Sequence, residues 1–102
     1  MPRRKGDAVR ERRNVKIRGL VQGVFFRDTV RRVASHYDVA GFVRNVGVSV
    51  VEIEAEGERE TVAAFIHDVL AHPPSGARID DVDSLAVALA GDRGFLIARS
   101  IG

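Results

Sequence analysis

A chain of 102 residues has room for one hydrophobic core and one domain. With 45% hydrophobic and 29% charged residues, no cysteine and no apolar run near the ~20 residues a bilayer requires, it excludes a helical membrane span, a disulfide scaffold and a thiolate metal site. The net charge of +2 is unevenly spread: residues 1–13 carry Arg3, Arg4, Lys5, Arg10, Arg12 and Arg13 against Asp7 and Glu11, a net +4, which leaves the remainder at −2.

The basic stretch 1–13 predicts a flexible, solvated leader ahead of a folded domain spanning 14–102. A nucleic-acid arm is the lesser alternative, because the excess charge belongs to this stretch alone. A basic, polar N-terminus is not a secretory signal, so a cytoplasmic location is expected.

Asn14 to Arg18 alternates polar and apolar residues, the pattern of a half-buried strand, and stops at Gly19. Leu20 to Phe25 is apolar but bracketed by glycines, which predicts a tight loop. From Phe26 the period changes: Phe26, Val30, Val33, Ala34 and Tyr37 share one face of an amphipathic helix. Phe42 to Asn45 predicts a second strand, joined by a hairpin containing Gly47 to a third in which Val51, Ile53 and Ala55 alternate with Glu52, Glu54 and Glu56. The three glutamates are expected to form a solvated outer face. Val62, Phe65, Ile66, Val69 and Leu70 predict a second helix, and Pro73 to Gly76 breaks the chain. Ile79 to Leu89 predicts a fourth strand with Val82, Leu85, Val87 and Leu89 facing inward; after a turn at 91–94, Phe95 to Ala98 closes the domain.

This order predicts an α+β domain, a ferredoxin-like βαββαβ two-layer sandwich with an antiparallel sheet and both helices on one face. Such a fold hosts enzymes and binding modules alike, so function must come from a site.

The candidate site is the segment from Gly19 to Arg27, between a strand and a helix. A helix N-terminus presents unpaired N–H groups and partial positive charge, and glycines let the backbone curl around an anion. Arg27, one turn inside the helix, can add a guanidinium fork. No Lys-Ser/Thr follows the second glycine, so this is not a Walker loop. Spacing alone fits an anion nest or a plain strand-to-helix turn, and Asn45 by itself fits a turn residue. His36, His67 and His72 lack metal-ligand spacing, and Asp80, Asp81 and Asp83 lack that of a calcium loop. No stacking aromatics lie on the third strand, which disfavours RNA recognition.

Gly19-Leu20-Val21-Gln22-Gly23-Val24-Phe25-Phe26-Arg27 resembles the acylphosphatase signature G-x-V-Q-G-V-x-F-R, and Gly41-Phe42-Val43-Arg44-Asn45 resembles that family's second signature, G-W/F-V-x-N. The likeness runs in order from residue 14 to about 99, through Val51 to Gly57, Pro73-Pro74 and Ala77 to Ile79. It implies hydrolysis of carboxyl-phosphate mixed anhydrides without metal or other cofactor. Arg27 matches the phosphate-binding arginine and Asn45 the water-orienting asparagine. The backbone amides of Val21, Gln22, Gly23, Val24, Phe25 and Phe26 match the phosphate cradle. The implied partner is a small acyl phosphate met by a monomer, not a membrane or a nucleic acid. The alternative is a non-catalytic module on the same fold that binds phosphate, carbamoyl phosphate or nucleic acid. Arg27 and Asn45 occurring together favour the enzyme. One departure stands out: Asn45 is followed by Val46-Gly47-Val48-Ser49, with glycine two places early. That spacing puts a left-handed turn position on Val48 or Ser49, costly for a β-branched residue, and leaves the aim of Asn45 open.

Overall fold

The computed structural model describes residues 9–102. Seven elements follow in chain order: β1 (Arg10–Leu20), α1 (Phe26–Ala34), β2 (Ala40–Val46), β3 (Val50–Glu58), α2 (Arg59–Ala71), β4 (Arg78–Val87) and β5 (Phe95–Ile97). They form one sheet in the order β4-β1-β3-β2-β5. The pairs β1–β3, β1–β4 and β2–β3 are antiparallel, as expected. The last strand corrects the all-antiparallel expectation: β5 runs parallel to β2, with Gly41, Phe42 and Val43 opposite Phe95, Leu96 and Ile97. A chain returning from β4 must cross the sheet to reach the free edge of β2, and it arrives there in the same direction.

Both helices cover one face. The predicted helical stripes supply Phe26, Val30 and Ala34 from α1 and Val62, Phe65 and Val69 from α2 to the core. Val15, Ile17, Val43, Val51, Ile53 and Ala55 meet them from the sheet, and all six are fully buried. Phe65 of α2 lies 5.9 Å from the tilted Tyr37 ring, just past α1, and 5.6 Å edge-on from Phe95, joining both helical segments to β5. Tyr37 also donates its hydroxyl to Asp68 Oδ2 at 2.8 Å, a polar tie to α2. Gly41 is required by close approach: a Cβ there would stand 1.9 Å from the Glu54 carbonyl oxygen, at φ +139°.

Three sequence expectations give way here. The strand begins at Arg10, so Arg10 to Arg13 pair with β3 and do not belong to a leader; the rest of the predicted leader, residues 1–8, lies outside the described residues. The glutamates of β3 are not a solvated row, since Glu52 and Glu56 are buried. Cross-strand register sets Arg12 opposite Glu56, Asn14 opposite Glu54, and Lys16 and Arg44 on either side of Glu52. Arg12 is 3% exposed and pairs with Glu54, Glu56 and Asp92, the last carried across the sheet on the loop after β4. Finally, Leu85 and Leu89 are about half exposed instead of inward. Val82 sits opposite Ile17 and packs on the core, so alternation throws Leu85 and Val87 to the other face, opposite Asn14 and Arg12.

These buried carboxylates make stability acid-sensitive. Glu56 accepts the Ala90 N–H at 2.7 Å, which with Arg12 holds its carboxyl below the usual range against the cost of burial. Burial pushes Glu52 up, but Asn14 and Arg44 outweigh it and leave it lowered as well. A carboxyl whose folded pKa is depressed stabilises fully above its unfolded value, about 4.3 for glutamate, and loses that contribution as pH falls through the folded value. Urea midpoints are therefore expected to stay level from pH 7 to about 5 and then fall steeply below about 4. A flat profile down to pH 3 would contradict it.

Candidate active site

β1 ends at Leu20, and the chain turns through Val21 to Phe25 into α1. Gly23 (φ 73°) and Phe25 (φ 60°, ψ 28°) both take left-handed backbone, on either side of Val24. Alternation of this kind turns successive N–H groups toward one point, an anion-binding nest. No side chain caps α1, and the first backbone bond of the helix runs from Thr29 N–H to the Phe25 carbonyl at 3.0 Å. The N–H groups of Phe26, Arg27 and Asp28 are thus left over from the helical ladder at the positive end of its dipole.

This loop is fastened to the β2–β3 hairpin by one side chain. Gln22 Nε2 donates to the carbonyls of Val50 (2.9 Å), Gly47 (3.2 Å) and Val46 (3.5 Å). Sequence reasoning counted Gln22 only for its backbone amide; the reach of its side chain to a turn some 25 residues on carries no local signal. The turn itself resolves the departure noted above. Gly47 takes the left-handed position (φ 60°), and Phe25 is the one non-glycine residue with positive φ among the described residues. Val48 and Ser49 carry no such strain.

Loop, helix and hairpin enclose a cleft of about 430 Å³ lined by Val21, Gln22, Gly23, Phe25, Phe26, Arg27, Asp28, Asn45 and Ile97. It brings together both side chains singled out from the sequence and all of the expected amide segment except Val24, which packs against the core. Asp28 and Ile97 are additions. Asp28 sits in the first turn of α1, and Ile97 arrives from β5, which no spacing in the sequence links to the loop. Arg27 is half-buried and has no ion-pair or hydrogen-bond partner among the described residues. Asn45 projects from β2 on the helix side of the sheet, with its backbone fixed between Val51 of β3 and the Ile101 N–H (3.0 Å). Its Oδ1 is buried and accepts no hydrogen bond among the described residues, an unusual state for a carboxamide oxygen. The cleft therefore holds converging N–H groups, an unpaired cation and an unpaired acceptor, a set suited to an anion with a water beside it.

The sequence model of the acylphosphatase family matches residues 13–97. The chain belongs to the acylphosphatase family. An acylphosphatase of Anaeromyxobacter dehalogenans is 41% identical over 92 residues, 90% of this chain and 98% of its own length. The carbamoyltransferase HypF2 of Cupriavidus necator is 37% identical over 101 residues, 98% of this chain but 12% of its own. Among solved structures, full-length HypF in a phosphate- and nucleotide-bound form superposes with a TM-score of 0.88 at 35% identity, over 96% of this chain and 13% of that one. The chain thus spans about a tenth of the length of its carbamoyltransferase relatives and nearly all of a small acylphosphatase. Among the described residues, no helix is long and apolar enough to cross a membrane.

Proposed function

We propose that this acylphosphatase-family domain hydrolyses acyl phosphates, and that Arg27, Asn45 and the amides from Val21 to Phe26 do the work. The observation that carries this is the meeting, in one cleft, of the unpaired Arg27 and the orphaned Asn45 Oδ1 beside an uncapped helix N-terminus. The N–H groups and the guanidinium hold the phosphoryl oxygens and stabilise the charge that builds on them in the transition state. Asn45 Oδ1 accepts a hydrogen bond from water and aims it at phosphorus, in line with the bond to be broken. The water oxygen bonds to phosphorus as the phosphorus–oxygen bond to the acyl group breaks. The carboxylate leaves with that electron pair, and the water proton passes to a phosphoryl oxygen. A carboxylate needs no acid to help it leave, so the residues present cover each requirement. The expected setting is a cytoplasmic monomer acting on a diffusible substrate.

Wild-type protein is expected to convert benzoyl phosphate to benzoate and phosphate in the presence of EDTA. Asn45→Ala should lower kcat by on the order of 10²-fold, with competitive inhibition by inorganic phosphate nearly unchanged, since it removes the water's acceptor and not the cradle. Weakened phosphate inhibition would instead move Asn45 into phosphate binding. Phosphate binding without turnover by the wild type would favour a non-catalytic module.

One relative, named a carbamoyltransferase and matching nearly the whole chain, points to a second possibility for the substrate, carbamoyl phosphate. It is itself a mixed anhydride and asks the same of the cradle. Comparison of kcat/KM for carbamoyl and benzoyl phosphate separates the two.

A further inference from the structure

Phe25 and Phe26 are neighbours with opposite fates. Phe26 is 2% exposed and anchors the loop to the core, while Phe25 is 79% exposed and still lines the cleft. Phe25 also holds a left-handed backbone that a bulky side chain adopts only under strain. Glycine would relieve that strain, as it does two residues earlier at Gly23. The nest explains the backbone, but it does not explain an aromatic ring, which adds nothing to the hydrophobic core.

Direction supplies the explanation. In-line displacement puts the attacking water and the leaving group on opposite sides of phosphorus. Asn45 stands at the inner end of the cleft, with its Oδ1 buried. The leaving acyl group must then point away from Asn45, toward the exposed rim, and Phe25 is the highly exposed apolar residue that lines the cleft. We infer that Phe25 is the contact for the acyl half of the substrate and biases this site toward acyl phosphates with an apolar, planar acyl group. Ile97, half-buried in the same cleft, extends the apolar wall. This inference rests on the proposed hydrolysis.

The test compares benzoyl with acetyl phosphate, using the wild type, Phe25→Asn and Phe25→Tyr, with the inhibition constant for inorganic phosphate measured alongside. Asparagine tolerates the left-handed backbone, so Phe25→Asn removes the ring while keeping the nest. The expected result for Phe25→Asn is a fall of roughly tenfold in the ratio of kcat/KM for benzoyl over acetyl phosphate, the scale of one aromatic contact, beyond any loss the two substrates share through the cradle. Phosphate inhibition reports any change in the shared cradle, and Phe25→Tyr should keep the wild-type preference. An equal loss on both substrates would show that residue 25 serves only the cradle, and no loss on either would show that the ring is idle; each overturns the inference and leaves the hydrolytic function standing. A wild type inert toward both substrates overturns the function and the inference with it.

Discussion

Arg27→Ala is expected to lower kcat/KM for benzoyl phosphate by on the order of 10³-fold while leaving the thermal midpoint close to that of the wild type. The first half follows from electrostatics. Arg27 is the cation of the cleft, and no carboxylate among the described residues competes for it. Asp28 lines the same cleft, so without Arg27 the dianionic phosphate would face a negative charge with only backbone dipoles to offset it. The second half follows from packing. Arg27 makes no hydrogen bond or ion pair among the described residues, so its removal orphans none of them. Arg27→Lys should recover a minor part of the rate, since an ammonium supplies the charge without the two-pronged geometry that matches a phosphoryl group. Circular dichroism melts beside the kinetics decide the matter. A variant retaining more than a tenth of wild-type activity would remove Arg27 from the mechanism, and a variant that unfolds would make it structural.

The largest stability effect is expected on the opposite face of the sheet. Arg12→Ala should cost about 3–5 kcal/mol, because it leaves the buried Glu56, and with it Glu54 and Asp92, without the charge that compensates them. For a domain of this size that corresponds to a fall in melting midpoint of roughly 15 °C or more. The guanidinium donates to Glu54, Glu56 and Asp92, and the last contact clamps the loop that delivers the chain to β5. Arg78→Ala is the natural control. Its pairing with Asp80 lies on the exposed surface, where water and salt screen it, and its loss should leave the midpoint nearly unchanged. Equal effects from the two substitutions would show that burial of the Arg12 cluster contributes nothing. Below the melting transition, Arg12→Ala should keep its wild-type kcat, as the cleft lies on the helix side of the sheet.

The contrast between these two arginines marks what was legible in the sequence. Element order, helix faces and the loop could be read because their signals are local: periodicity, bracketing glycines and an arginine one turn into a helix. Arg12 could not be read that way. It stands in a run of basic residues that looks solvated until β1 and β3 pair, when register sets Arg12 opposite Glu56, with Arg10 opposite Glu58 and Asn14 opposite Glu54 on the same face. The misplaced Leu85 has a similar cause, since β4 is apolar on both faces and only its pairing with β1 says which points inward. In the cleft, Arg27 and the amide segment were legible, and Asn45 was visible through the second signature. The side-chain role of Gln22 and the approach of Ile97 were not, because both depend on contacts between elements far apart in sequence. The turn after Asn45 misled for a narrower reason: glycine sits two places earlier than the family pattern, and the left-handed position moved with it.

The parallel strand β5 has a consequence for solubility. A two-layer sandwich of four strands leaves both outer strands with unpaired backbone, a template for another chain. Here β5 takes one of those edges: it pairs along β2, and beyond it Ala98 N–H reaches the Val43 carbonyl at 2.9 Å while Gly47 N–H reaches the Ile101 carbonyl at 2.8 Å. The remaining edge, β4, carries Asp80, Asp81 and Asp83 with their partners Arg78 and Arg18, strongly hydrated charges that blunt an edge against strand addition. The segment that holds the backbone of Asn45 in place is therefore also the one that keeps the β2 edge from recruiting a second molecule.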